Sequence, residues 1–219
     1  MVNKINKKAI RVKKHDRERN RFMGTPEFSA TVLEGLISNG YNVVLCVSQP
    51  DKPVGRKKVI TPPPAKVVAT NNGIPMFQPD SMRTDEAYET ILSYKPDMIV
   101  TAAYGKILPQ RVLDIPKYGC LNVHASLLPK YRGAAPIQYS IINGDDKTGV
   151  TIMKMDAGMD TGDIITQADI DIEPNINTEN LTKALSNIGT DLLIKTIPDW
   201  VAGNLKTIPQ DDSKVTLSP

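Results

Sequence analysis

The chain has 219 residues, 40% of them apolar and 23% charged, with a formal net charge of +3. That length can bury a sizeable core without disulfide or metal staples. No apolar run approaches the roughly 18 residues of a membrane span, and no apolar stretch of secretory type follows the basic N-terminus. Cys46 and Cys120 lie 74 positions apart with no CxxC pattern. This excludes a cysteine-based metal centre and a disulfide framework, and makes a reducing, cytoplasmic setting the expectation. The charge divides unevenly. Residues 1–22 hold nine basic and two acidic side chains, whereas residues 23–219 hold 18 basic and 22 acidic. The body is therefore mildly acidic, and attraction to a polyanion must come from local patches. His15 sits in the basic stretch, which leaves His124 as the body's single imidazole.

In chain order, Ser29–Asn39 carries Val32, Leu33, Leu36 and Ile37 at helical spacing, with Gly40 as a C-terminal stop. Residues 41–47 (YNVVLCV) read as a buried strand. Residues 48–64, with five prolines and four basic side chains, read as a long loop. Helices follow at Ala65–Asn72 and Asp85–Tyr94, and strands at Met98–Ala103 and Cys120–His124. Strands apolar on both faces and alternating with helices predict a mostly parallel α/β sheet, Rossmann-like, with helices on both faces. Ala134–Asn143 reads as a helix with Pro136 in its first turn. Gly149–Met155 and Ile164–Ile172 are strand-like and suit an antiparallel addition at the C-terminal end. Thr178–Trp200 is a long amphipathic helix, and residues 205–219 have no period and resemble a linker.

Three stretches could carry chemistry. In the Cys120–His124 strand, Asn122 and His124 share a face because strand side chains repeat every two residues. They lie near the strand end where open α/β sheets bind ligands. The bland alternative is a polar strand face meeting solvent. The Asp156–Asp163 stretch holds three aspartates and two glycines, and reads either as an ordinary polar turn or as a carboxylate held near His124. Amide, imidazole and carboxylate form a coherent set for acyl transfer, since the first two can stabilise an oxyanion and the third can orient the imidazole. No GxSxG elbow is present, which favours direct attack by a substrate over a covalent enzyme intermediate. Lys52, Arg56, Lys57 and Lys58 gather in one loop, readable as a solvated basic loop or as a phosphate contact.

Five segments resemble the methionyl-tRNA formyltransferases, a family of folate-dependent formyltransferases: FMGTPEF (22–28), QPDKPVGRKK (49–58), AAYGKILP (102–109), LNVHASLLPKYRGAAPIQ (121–138) and GVTIMKMDAGMDTGD (149–163). The resemblance implies the formyltransferase fold and 10-formyltetrahydrofolate as donor, with no metal. The implied acceptor is the α-amino group of methionine on initiator tRNA. It places the catalytic asparagine, histidine and aspartate on Asn122, His124 and Asp160. Folate contacts fall on Ser126, Leu127, Leu128 and Pro129, with Tyr104 and Gly105 beside them, and tRNA contacts on Arg56, Lys57 and Lys58. The implied partners are tRNA and folate, with no membrane, for a monomer. A formyltransferase acting on a small amine, such as a purine precursor or a nucleotide-linked amino sugar, is the alternative.

The ends fit the resemblance less well. Residues 1–21 read as a basic, poorly ordered extension, 22–204 as the catalytic domain, and 205–219 as a linker toward a C-terminal tRNA-binding domain. The family's first strand should lead directly into the FMGTPEF turn. Residues 15–21 (HDRERNR) are too charged for a buried strand, and Ala9–Val12 is the apolar candidate upstream. The expectation is that residues 13–21 stay out of the central strand position.

Overall fold

The computed structural model describes residues 18–219. The Ala9–Val12 candidate and most of the basic extension lie outside them. The described chain runs β1 (Arg19–Gly24), α1 (Glu27–Ser38), β2 (Asn42–Val47), β3 (Lys52–Val54), β4 (Val59–Thr61), α2 (Pro64–Asn71), β5 (Met76–Phe77), α3 (Asp85–Ser93), β6 (Met98–Ala102), α4 (Gln110–Leu113) and β7 (Cys120–His124). It continues with β8 (Arg132–Gly133), α5 (Pro136–Ile142), β9 (Lys147–Lys154), β10 (Ile164–Asp171), α6 (Thr178–Val201), a 3₁₀ turn (Asp212–Lys214) and β11 (Leu217–Ser218). Seven strands form one sheet in the order β10-β9-β7-β6-β1-β2-β5. Pairing is parallel from β7 to β5, while β9 runs antiparallel to both β7 and β10. This is the mostly parallel α/β sheet with an antiparallel addition that the strand–helix rhythm predicts.

The sheet is covered on both sides. Phe22, Val100, Leu121 and Val123 pack with α1, α2 and α6, while Met23, Leu45, Ile99 and Cys120 pack with side chains from α3 and α4. Helices α1 and α6 approach so closely that a Cβ on Gly35 would overlap the Thr190 methyl group.

Three expectations are corrected. First, Arg19, Asn20 and Arg21 do enter the central strand. Asn20 lies opposite Met98 and Val43, and Arg21 opposite Ile99 and Leu45. The ladder is made of main-chain bonds that do not depend on side-chain polarity, and it is locked where Arg19 N–H donates to Asp97 and Asp97 N–H returns to Arg19 O. Tertiary context overrides strand propensity here, and the sheet begins at Arg19 rather than Phe22. Second, the proline-rich loop contains a β3–β4 hairpin, turning at Gly55 with φ 71°. Third, residues 205–219 are docked on the body: β11 pairs with β8, and Ile208 bridges to Ile164. Among the described residues no helix is long and apolar enough to cross a membrane.

Candidate active site

Strand β7 supplies the first two groups. Leu121 and Val123 lie in the core on the α1/α6 side, so Asn122 and His124 point to the opposite side. The Met155–Asp163 connection between β9 and β10 crosses that side and delivers Asp160. Its Oδ1 stands 3.5 Å from Asn122 Nδ2 and 3.7 Å from His124 Nδ1. Both separations are at or beyond the limit of a useful hydrogen bond, so neither nitrogen is committed to the carboxylate.

Each of the three groups is braced from elsewhere. Thr101, opposite Asn122 across the β6–β7 ladder, places its hydroxyl 2.9 Å from Asn122 Oδ1, which leaves Nδ2 turned toward the carboxylate. His124 is 6% exposed, and its Nε2 lies 2.9 Å from the Tyr131 carbonyl. A carbonyl only accepts, so Nε2 is the ring nitrogen that carries hydrogen toward it, and Nδ1 is the one that faces Asp160. Asp160 has φ 54°, the left-handed region that a residue with a Cβ rarely occupies. Its Oδ2 accepts from Gly133 N–H at 2.9 Å, and its carbonyl accepts from Gln210 Nε2 at 2.8 Å. Gly133 is required at its turn, since its φ is 122° and a Cβ would come within 2.5 Å of Ser218 O.

The Ser126–Pro129 stretch continues directly from β7. Ser126 and Leu128 are buried, and the Ser126 hydroxyl is committed to Lys130 O at 2.6 Å. Thr151 clamps the loop, donating to Ser126 O and accepting from Leu128 N–H. Leu127 and Pro129, both partly exposed, and the loop backbone are what this stretch can offer a ligand. Gly105 is exposed just past β6, whereas Tyr104 is buried, with a hydroxyl that has no hydrogen-bond partner among the described residues. Burial pushes the Tyr104 phenol well above its usual range. The Tyr104 carbonyl is held by Thr25 and Gln49.

Arg56, Lys57 and Lys58 occupy the exposed tip of the β3–β4 hairpin, flanked by exposed Val54, Val59 and Ile60. None of the three forms an ion pair with a described residue, so their charge is directed to solvent. Among the described residues, no cluster of three His, Cys, Asp or Glu side chains is placed to hold a metal.

Sequence reasoning missed four supports of this site: Thr101, the Tyr131 carbonyl, the Gly133 amide and Gln210. Tyr131 and Gly133 act through backbone atoms, which leave no side-chain signature. Thr101 could have been found from β6–β7 pairing, since it is the polar residue in an otherwise apolar strand.

Residues 20–197 match the sequence profile of the family described as formyl transferase. Over 198 residues the chain is 54% identical to the methionyl-tRNA formyltransferase of Bacillus velezensis, taking in 90% of this chain and 62% of that protein. Identity and coverage are the same for the methionyl-tRNA formyltransferase of Bacillus subtilis. The chain thus spans less than two thirds of the length of these relatives. Glycinamide ribonucleotide transformylase 1 from Symbiobacterium toebii shares the fold with a TM-score of 0.72 at 19% identity, over 89% of this chain and 94% of that one. An N-formyltransferase from Helicobacter canadensis, in complex with folinic acid and dTDP-3-aminofucose, shares it with a TM-score of 0.66 at 20% identity, over 91% and 70%.

Proposed function

The chain belongs to the formyl transferase family, and we propose that it moves a formyl group from 10-formyltetrahydrofolate to the α-amino group of methionine on initiator tRNA, as a monomer in the cytoplasm. The observation that carries this reading is the convergence of Asn122 Nδ2 and His124 Nδ1 on one oxygen of Asp160, with each of the three groups braced. The names of the 54% identical relatives favour the tRNA-linked amine over a small free amine.

The donor supplies an activated formyl carbon. The residues then divide the work. Asn122 Nδ2 and His124 Nδ1 donate to the formyl oxygen as negative charge develops on it during amine attack, the moment at which fixed donors contribute most. Asp160 keeps the imidazole oriented and protonated, and takes the proton that the attacking nitrogen releases, directly or through water. A proton returns to the departing folate nitrogen, so no charge is left over. Leu127, Pro129 and the Ser126–Pro129 backbone, with Tyr104 and Gly105 near the end of β6, line the folate side. Arg56, Lys57 and Lys58 meet the tRNA backbone through charge, which positions without reading sequence.

The test is an assay of this chain with 10-formyltetrahydrofolate and methionyl-tRNA, following formylated methionyl-tRNA and tetrahydrofolate together. Equimolar appearance of both is expected. Formylation of a small amine with methionyl-tRNA untouched would overturn the choice of acceptor, and no release of tetrahydrofolate with either would overturn the reaction.

A further inference from the structure

The segment after α6 is tied into both loops of the site. Gln210 Nε2 donates to the carbonyls of Asp160 at 2.8 Å and Gly162 at 2.7 Å, while its Oε1 accepts from Arg132 Nε at 3.0 Å. Arg132 is 8% exposed, and its Nη2 pairs with Asp212 at 2.8 Å. It stands between Tyr131, whose carbonyl holds His124, and Gly133, whose N–H holds the Asp160 carboxylate. One side-chain amide therefore spans the loop that carries the carboxylate and the loop that grips the imidazole.

We infer that Gln210 is a positioning residue: it holds the left-handed Asp160 backbone against the Tyr131–Gly133 loop, and so sets the carboxylate over Asn122 and His124. The inference rests on the formyl-transfer reading for its kinetic consequence, though not for its geometry. The requirement is for an amide in particular. Two carbonyls need a donor, and the Arg132 guanidinium needs an acceptor on the same side chain. Glutamate would keep the Arg132 contact but set oxygen against oxygen at Asp160 and Gly162. The segment has other anchors, including Tyr131 N–H to Thr216 Oγ1 at 2.8 Å and the β8–β11 pairing, so loss of the amide should not detach it.

The experiment compares Gln210→Ala and Gln210→Glu with the unaltered full chain and with Lys214→Ala, an exposed position whose ion pair is with Asp211, the residue just before the 3₁₀ turn. Both Gln210 variants should lower kcat by about tenfold to a hundredfold, the cost of a misplaced reacting group. The KM for 10-formyltetrahydrofolate should stay within about threefold, because ground-state binding is untouched. Lys214→Ala should match the unaltered chain. The imidazole 15N resonances of His124 should shift in Gln210→Ala, as Asp160 moves. Unchanged kcat in Gln210→Ala, or a loss shared equally by Lys214→Ala, would overturn the inference. If the unaltered chain transfers no formyl group, the functional reading fails and the 15N spectrum decides alone. A shifted His124 signal in Gln210→Ala then supports the positioning role, and an unshifted one overturns it.

Discussion

Arg21 is a buried cation without hydrogen-bond partners among the described residues, and replacing it with methionine should stabilise the protein. It is 0% exposed, and Nε, Nη1 and Nη2 all lack a hydrogen-bond partner among the described residues. Its guanidinium carbon lies 5.2 Å from the Tyr94 ring centroid, a cation–π contact that offsets part of the cost of the buried charge. Desolvation lowers its pKa from the ordinary guanidinium range to about 10, with Tyr94 acting in the other direction. A depression of that size corresponds to about 3 kcal/mol against the charged form, at about 1.4 kcal/mol per unit. Because the folded state holds this proton less well than the unfolded state, the penalty is complete below pH 10 and fades as pH rises toward the ordinary guanidinium range.

Methionine is unbranched and adaptable, so it fills much of the same channel without charge. It gives up a ring–cation contact of about 1 kcal/mol. The net gain is about 2 kcal/mol, and at about 2–4 °C per kcal/mol for a chain of this size the melting temperature should rise by about 4–8 °C. Calorimetry at pH 7 on Arg21→Met and Arg21→Lys reads this directly. Lysine keeps a buried charge and loses the planar stacking, so it should not stabilise. A lowered melting temperature in Arg21→Met would refute the reasoning, because the guanidinium would then be making a contribution that its missing partners deny.

The remaining predictions concern the site and the core thiols. Asn122→Ala and His124→Ala should each cut formyl transfer by about a hundredfold or more with circular dichroism unchanged, the usual cost of one oxyanion donor; near-normal turnover in either would remove that residue from the mechanism. Thr101→Val removes the hydroxyl beside Asn122 Oδ1 while preserving shape, and should lower kcat about tenfold with KM steady, the free-energy scale of one unmet polar partner; Thr101→Ser should restore it. Arg56→Ala should weaken methionyl-tRNA use and flatten its dependence on salt, with folate KM unaltered. Burial pushes both Cys46 and Cys120 up to about 12, so neither should react with a thiol-disulfide reagent at pH 8 unless the chain is unfolded. Because the folded state keeps these protons while unfolded thiols lose theirs near pH 9, the thiols lower stability progressively from pH 9 to 12, visible in denaturant midpoints.

What could be read from the sequence follows from where each interaction stores its information. β7 was legible because a two-residue alternation puts Asn122 and His124 on one face whatever the rest of the chain does. Asp160 was not fixed that way. Composition permitted an ordinary turn, and only the resemblance singled out this aspartate from its neighbours Asp156 and Asp163. β1 is a strand whose burial does not follow from its hydrophobic pattern. Its first half is held by backbone pairing and by the Asp97 carboxylate, so Arg19–Arg21 follow Phe22 and Met23 into the sheet, and Arg21 bears the desolvation cost. The 205–219 segment hid for a related reason. Its grip on the body combines the short β8–β11 pairing and the Ile208 bridge with isolated side-chain to main-chain bonds at Gln210, Thr216 and Ser218, and such contacts have no period to detect. The same property gives the segment its influence on the site. A chain packed by an apolar stripe can slide by small amounts, whereas one fastened by directed bonds to the carbonyls of Asp160, Gly162 and Tyr131 fixes those atoms individually. A carboxylate held in a left-handed turn needs that kind of control.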